Sequence, residues 1–181
     1  MGIGMVRGAS AAGAALVAAG LLLASGTAAP AAAAPSPQSL TVGCFLIAGP
    51  SRICDVDEPV VTKPATEYDI QFNAGDRVTV NAGGCVQTGG HGATWKRYVD
   101  PQSSNGLYHG TISLPGVTNG LTELRFMVGQ TFTLPFSGDL VLGYEDDGYS
   151  DNGYYSHDDG TNNQCKGVGN AWVSLTITAG T

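Results

Sequence analysis

Apolar and polar residues alternate cleanly over Trp172–Thr178, with Val173, Leu175 and Ile177 on one face and Ser174, Thr176 and Thr178 on the other. Side chains of a strand point to opposite faces in turn, so this period of two predicts a half-buried strand. Arg77–Val80 has the same pattern, with Val78 and Val80 predicted inward and Arg77 and Thr79 outward. Glu67–Phe72 is also strand-like and runs into Asn73-Ala74-Gly75-Asp76, a turn composition. These two runs are expected as a hairpin or as adjacent strands. Leu107–Leu114, Leu121–Val128 and Gln130–Pro135 are further strand candidates, and Leu140–Tyr144 is a continuous apolar run. Nothing after Pro35 repeats apolar residues every 3.6 positions. Seven to nine short strands with Gly and Pro turns predict an all-β fold, a β-sandwich or jelly roll.

The two ends of this pattern differ from its middle. Residues 1–34 carry Arg7, then an apolar run at Ala11–Ala24, then small residues with several A-x-A-like sites from Thr27 to Ala34. That order predicts a secretory signal peptide. The run is too short and Ala/Gly-rich for a membrane span, which needs about 20 apolar residues. Residues 35–66 are punctuated by Pro35, Pro37, Pro50, Pro59 and Pro64. They are expected to form an N-terminal extension with one or two short strands, such as Ser39–Ile47. Residues 67–181 are expected as the main β-sandwich domain.

The net charge is −7, and removing the signal with Arg7 takes it to −8. An acidic chain disfavours nucleic acid and anionic membrane as partners. It suits cations or neutral soluble ligands. All four cysteines, Cys44, Cys54, Cys85 and Cys165, follow the signal. An even number in an exported chain predicts two disulfides. Three connectivities are possible; Cys44–Cys54 with Cys85–Cys165 is preferred, because the second would clamp the stretch described next to a neighbouring strand.

That stretch is Tyr144–Cys165. It places Glu145, Asp146, Asp147, Asp151, Asp158 and Asp159 within fifteen residues, together with Tyr144, Tyr149, Tyr154 and Tyr155, four of the seven tyrosines. Carboxylates this dense repel one another unless a cation lies among them. Calcium takes six to eight oxygens from carboxylates, amides, carbonyls and water, and the loop offers all the protein donors. The spacing is not that of an EF-hand, since Tyr149 stands at the third position from Asp147. Ala82–Thr94 carries five glycines and is expected as an ordered loop whose carbonyls face a ligand.

Nucleophile-triad and zinc-protease signatures are absent, and a carboxylate-pair glycosidase stays as a minor alternative. No G-x-S-x-G or H-E-x-x-H occurs, and the neighbours Ser156-His157-Asp158 cannot form a triad. His91, His109 and His157 show no zinc spacing. A non-enzymatic protein is expected. Tyr149, Tyr154 and Trp95 could stack on a sugar face, with packing into the core as the alternative for Trp95; Tyr144, at the end of an apolar run, is expected in the core.

The region 68–177 resembles the PA-IL-like, calcium-dependent galactophilic lectins of bacteria. The likeness rests on Ile70–Val80, on Ala82-Gly83-Gly84 before a loop carbonyl at Thr88, on Trp95, on Pro101-Gln102 and Gly106-Leu107, on Leu142–Asp146, on Asp151-Asn152 and on the closing strand Trp172–Ile177. The resemblance implies a jelly-roll, galactose-binding-like β-sandwich in which sugar hydroxyls complete a Ca2+ shell. It implies Asp146, Asp151 and Asn152 as side-chain ligands and Thr88 and Tyr149 as carbonyl ligands. Asp100, Pro101, Gln102, Asp146 and Asp147 would line the sugar site, and Asp147, Asp158 and Asp159 are candidates for a widened shell or a second ion. The implied partner is a carbohydrate of galactose type, and the protein would be extracellular, with homo-oligomerisation open. The chain departs from the family in having Asp100 where the family has His, in a loop two residues shorter between Asp146 and Asp151, in the added segment Ser156–Gly169, and in residues 35–66.

Overall fold

Among the described residues the chain forms twelve strands and one short 3-10 turn, with no α-helix. The computed structural model describes residues 41–89, 94–102, 105–154 and 164–180. The strands are β1 (Thr41–Leu46), β2 (Ser51–Asp57), β3 (Ala65–Phe72), β4 (Arg77–Gly83), β5 (Cys85–Thr88), β6 (Trp95–Arg97), β7 (His109–Ser113), β8 (Thr122–Glu123), β9 (Thr131–Thr133), β10 (Gly138–Glu145), β11 (Asn152–Gly153) and β12 (Trp172–Thr178). No helix among the described residues is long and apolar enough to cross a membrane. The predicted signal lies outside the described residues.

The strands build three sheets, ordered β1-β2-β12-β4-β9, β3-β10-β7-β8 and β11-β5-β6, and every strand pair is antiparallel. Pattern decides which face is buried. Val173, Leu175 and Ile177 of β12 and Val78 and Val80 of β4 are buried as expected, and so is Tyr144. They meet Tyr68, Ile70, Phe72, Ile112, Leu140 and Leu142 from the second sheet in one core cluster. Two sheets sharing one core form a sandwich-like body. Each of those large side chains gains about 1.5–3 kcal/mol by leaving water.

Two expectations change. Glu67–Phe72 and Arg77–Val80 do not pair: β3 bonds to β10, whereas β4 bonds to β12 and β9. The turn between them crosses from one sheet to the other. Buried Asp76 fixes this corner, with Oδ2 accepting from Asn73 N at 2.9 Å and Oδ1 from Gly180 N at 3.2 Å. Alternation marks a strand but does not name its partner. Leu121–Val128 is not one strand; β8 is followed by the 3-10 turn Leu124–Phe126. The stretch 35–66 contributes β1 and β2, and β2 pairs along the whole of β12.

Both disulfides take the preferred pairing. Cys44–Cys54 joins opposite residues of the β1–β2 hairpin, and Cys85–Cys165 closes a separation of 80 residues. No cysteine is free. Disulfides of this kind belong to an oxidising environment.

Candidate functional site: the acidic loop and the small sheet

The small β11-β5-β6 sheet turns away from the body at Gly84. Its φ is +84°, and a Cβ there would sit 2.1 Å from the Asn170 carbonyl, so only glycine passes this point. Beyond it, Cys85, Trp95 and Cys165 form a second buried cluster, flanked by Tyr154 and Val168. Gln164, also buried, accepts from the backbone N–H groups of Arg97 and Gln102, both at 3.2 Å. The disulfide and this amide hold the end of the acidic loop against the segment after β6.

On this base β11 pairs with β5, setting Asn152 directly opposite Thr88. Two residues placed far apart in the sequence and expected to share a cation are thus cross-strand neighbours. Asp151 lies alongside: a Cβ on Gly89 would be 3.7 Å from its Oδ2. Asp146, at the end of the β10 run, offers Oδ1 to Gly148 N at 3.1 Å. Its other oxygen, Oδ2, is buried and has no donor. Asn152 donates Nδ2 to the Val61 carbonyl at 2.9 Å, and its buried Oδ1 has no donor either.

Burial raises the Asp146 pKa, opposed by the Gly148 N–H and by the nearby Asn152 amide. The Asn152 amide has two N–H groups, one given to Val61 and the other free to bear on Asp146; the Asp147 side chain adds to the upward shift and its backbone N–H opposes it. Asp146 Oδ2 and Asn152 Oδ1 can only accept. A buried acceptor without a partner costs about 1–3 kcal/mol. A cation held between them would satisfy both. Among the described residues no three His, Cys, Asp or Glu side chains form a ready metal cluster. An oxygen site here would therefore combine one or two carboxylates with an amide and carbonyls, donors that suit calcium rather than zinc.

Tyr108 belongs to this arrangement and was not anticipated. Burial is the main cause of its raised pKa, followed by the charges of Asp147 and Asp146, a side-chain hydrogen bond to Asp147, and the charge of Asp151. It has a φ of +64°, rare for a bulky residue, and its N–H donates to the Glu145 carbonyl at 2.7 Å. Lys96 Nζ lies 5.9 Å from the centre of its ring. Val61, which holds Asn152, was also unforeseen.

Other expected residues are placed differently. Trp95 is fully buried beside the disulfide and presents no stacking face. Tyr154 packs against both core clusters and donates its hydroxyl to the Pro59 carbonyl at 2.9 Å. Tyr149 donates its hydroxyl to the Tyr144 carbonyl at 3.2 Å and is partly exposed. Asp100 pairs with Arg125 at 3.5 Å, and Gln102 is held through its backbone by Gln164. His109 is buried, with Nε2 4.0 Å from Glu123 Oε2. His91, Tyr155, His157, Asp158 and Asp159 lie outside the described residues.

No protein-family model matches this chain, and neither a curated protein nor a solved structure matches it.

Proposed function

We propose that the protein is a secreted, calcium-dependent carbohydrate-binding module, its signal peptide being residues 1–34 and its body a jelly-roll variant. The observation that carries this is the pair of buried, donorless oxygens Asp146 Oδ2 and Asn152 Oδ1. They lie in a loop rich in further acceptors, with Thr88 across the strand and Asp151 beside it. Asp146, Asp151 and Asn152 would give side-chain oxygens to Ca2+, and Thr88 and Tyr149 would give carbonyls. Bound calcium would offer its open positions to the hydroxyls of a galactose-type sugar. The residues of this chain would orient that sugar, with Asp147, Tyr108 and the Asp100–Gln102 segment at its margins.

Calorimetric titration of calcium into wild type and Asp146→Ala is the test. Wild type should bind with measurable heat, and the variant should lose at least tenfold in affinity. At a hundredfold excess over Kd, calcium should stabilise wild type by about 2.7 kcal/mol. Absence of calcium heat in wild type would end the proposal. A glycan array with and without chelator then tests the sugar.

A second reading has its own support. Trp95 and Tyr154, two of the three expected stacking residues, are packed inside. Calcium would then stiffen the loop for protein contacts. That reading expects the same calcium stabilisation with no glycan signal.

A further inference from the structure

Sheet edges expose unpaired N–H and C=O groups, and natural proteins shorten, charge or cover them to prevent edge-to-edge pairing. Most edges of this molecule follow that rule. β8 and β11 have two residues each, and β6 and β9 have three. β3, an eight-residue edge, directs Glu67 and Asp69 outward, both exposed. Among the described residues, β1 follows none of these devices. It has six residues, TVGCFL, with no charge and no proline. Val42 is 36% exposed, Phe45 51% and Leu46 83%, and Ile47 just beyond is 42% exposed.

The pairing phase shows which groups of β1 are open. Ile47 N donates to Ser51 O at 3.0 Å, so the pair 47/51 is hydrogen-bonded, as are the pairs at every second step along the hairpin. Cys44 and Cys54 fall between, and their Cα separation of 4.1 Å is the close spacing of a non-hydrogen-bonded pair. Val42, Cys44 and Leu46 therefore turn their N–H and C=O groups away from β2, toward the open edge. The Cys44–Cys54 bond pins the strand so that it cannot fray.

We infer that β1 is a homodimer interface, pairing antiparallel with β1 of a second copy about a two-fold axis at Cys44. This register is the one the edge itself favours. Cys44 faces its own copy, and Val42 faces Leu46 in both directions, giving three residue pairs that each exchange two hydrogen bonds. Phe45 of each copy faces Gly43 of the other. No atom lies within 4 Å of where a Gly43 Cβ would stand, so the ring has room there, and an aromatic across from an edge glycine is a recurrent stabilising pair. With no charge in the strand, two copies meet without like-charge repulsion. The five-stranded sheet becomes a continuous ten-stranded one.

Sedimentation velocity of the purified protein from about 1 to about 300 µM is the first measurement. Wild type should shift from monomer to dimer. Leu46→Lys and Phe45→Lys, at positions already exposed, should weaken dimerisation at least tenfold, while circular dichroism shows an unchanged strand content. Leu121→Lys, at an exposed apolar site off this edge, should dimerise like wild type. A wild-type protein that stays monomeric throughout overturns the inference. So does a Leu46→Lys variant that dimerises like wild type, or a Leu121→Lys variant that loses the dimer. Assembly beyond a dimer in wild type also overturns it, because a two-fold edge closes on itself.

Discussion

The body and the small sheet are held together by different means. In the body, alternating side chains from two sheets meet in one core, and the strands choose their faces by hydrophobicity alone. In the small sheet the strands have two to four residues, too few to choose a face. A disulfide, a buried glutamine and a glycine corner do that work instead. Their buried orphans differ as well. Those of the body are hydroxyls of Thr66, Tyr98, Thr111 and Tyr144, which can donate as well as accept. Those of the small sheet and its loop are acceptor-only oxygens of Asp146, Asn152 and Gln87. By the pleat, Gln87 faces away from Asn152, so the pair at the candidate site is Asp146 with Asn152.

The largest test of this contrast is to cut each disulfide in turn. Loop-closure entropy assigns roughly 4.5 kcal/mol to a bond closing 80 residues and roughly 2.7 kcal/mol to one closing 10. Cys85→Ser/Cys165→Ser should therefore lower the urea midpoint far more than Cys44→Ser/Cys54→Ser. Equal losses would mean that the long bond does not organise the small sheet. Next comes alkaline titration of the body. Burial raises the pKa of Tyr68, Tyr98, Tyr144 and Tyr154 above the ordinary 10.0. The native state keeps these protons where the unfolded chain releases them, so stability is intact below pH 10 and is lost as pH rises past it. Each such tyrosine costs about 1.4 kcal/mol per pH unit. Absorbance at the phenolate band should show these groups ionising only as the fold is lost. The smallest effect is Gln164→Ala, which orphans two backbone N–H groups at a cost of about 1–3 kcal/mol. Hydrogen exchange should speed up at Arg97 and Gln102 and stay unchanged in β12; spread into β12 would make the two regions one unit.

Legibility in the sequence follows the same division. Trp172–Thr178 is a strand with the bounds its alternation gives, because seven residues suffice to set a period. β5, β6 and β11 leave no such signal, since their placement comes from cross-links and from partners distant in sequence. The expected hairpin after Phe72 failed because an Asn-Ala-Gly-Asp turn serves a sheet crossing as well as a hairpin. At the site, Asp146, Asp151, Asn152 and Thr88 could be named from charge density and from the family likeness. Tyr108 was hidden inside a predicted strand, since a left-handed φ at tyrosine has no sequence mark. Val61 acts through its backbone carbonyl, which any residue would supply.

The order of the five-stranded sheet sets a timetable. β12 comes last in the chain and lies between β2 and β4, which do not bond to each other. A chain delivered N-terminus first holds both flanking strands long before the strand that joins them. Until Trp172–Thr178 arrives, β2 and β4 are two unmatched borders, and the core has only part of its walls. Such long-range closure is slow and leaves sticky intermediates. The body cannot close before Trp172–Thr178 has been made and has slotted between its two neighbours.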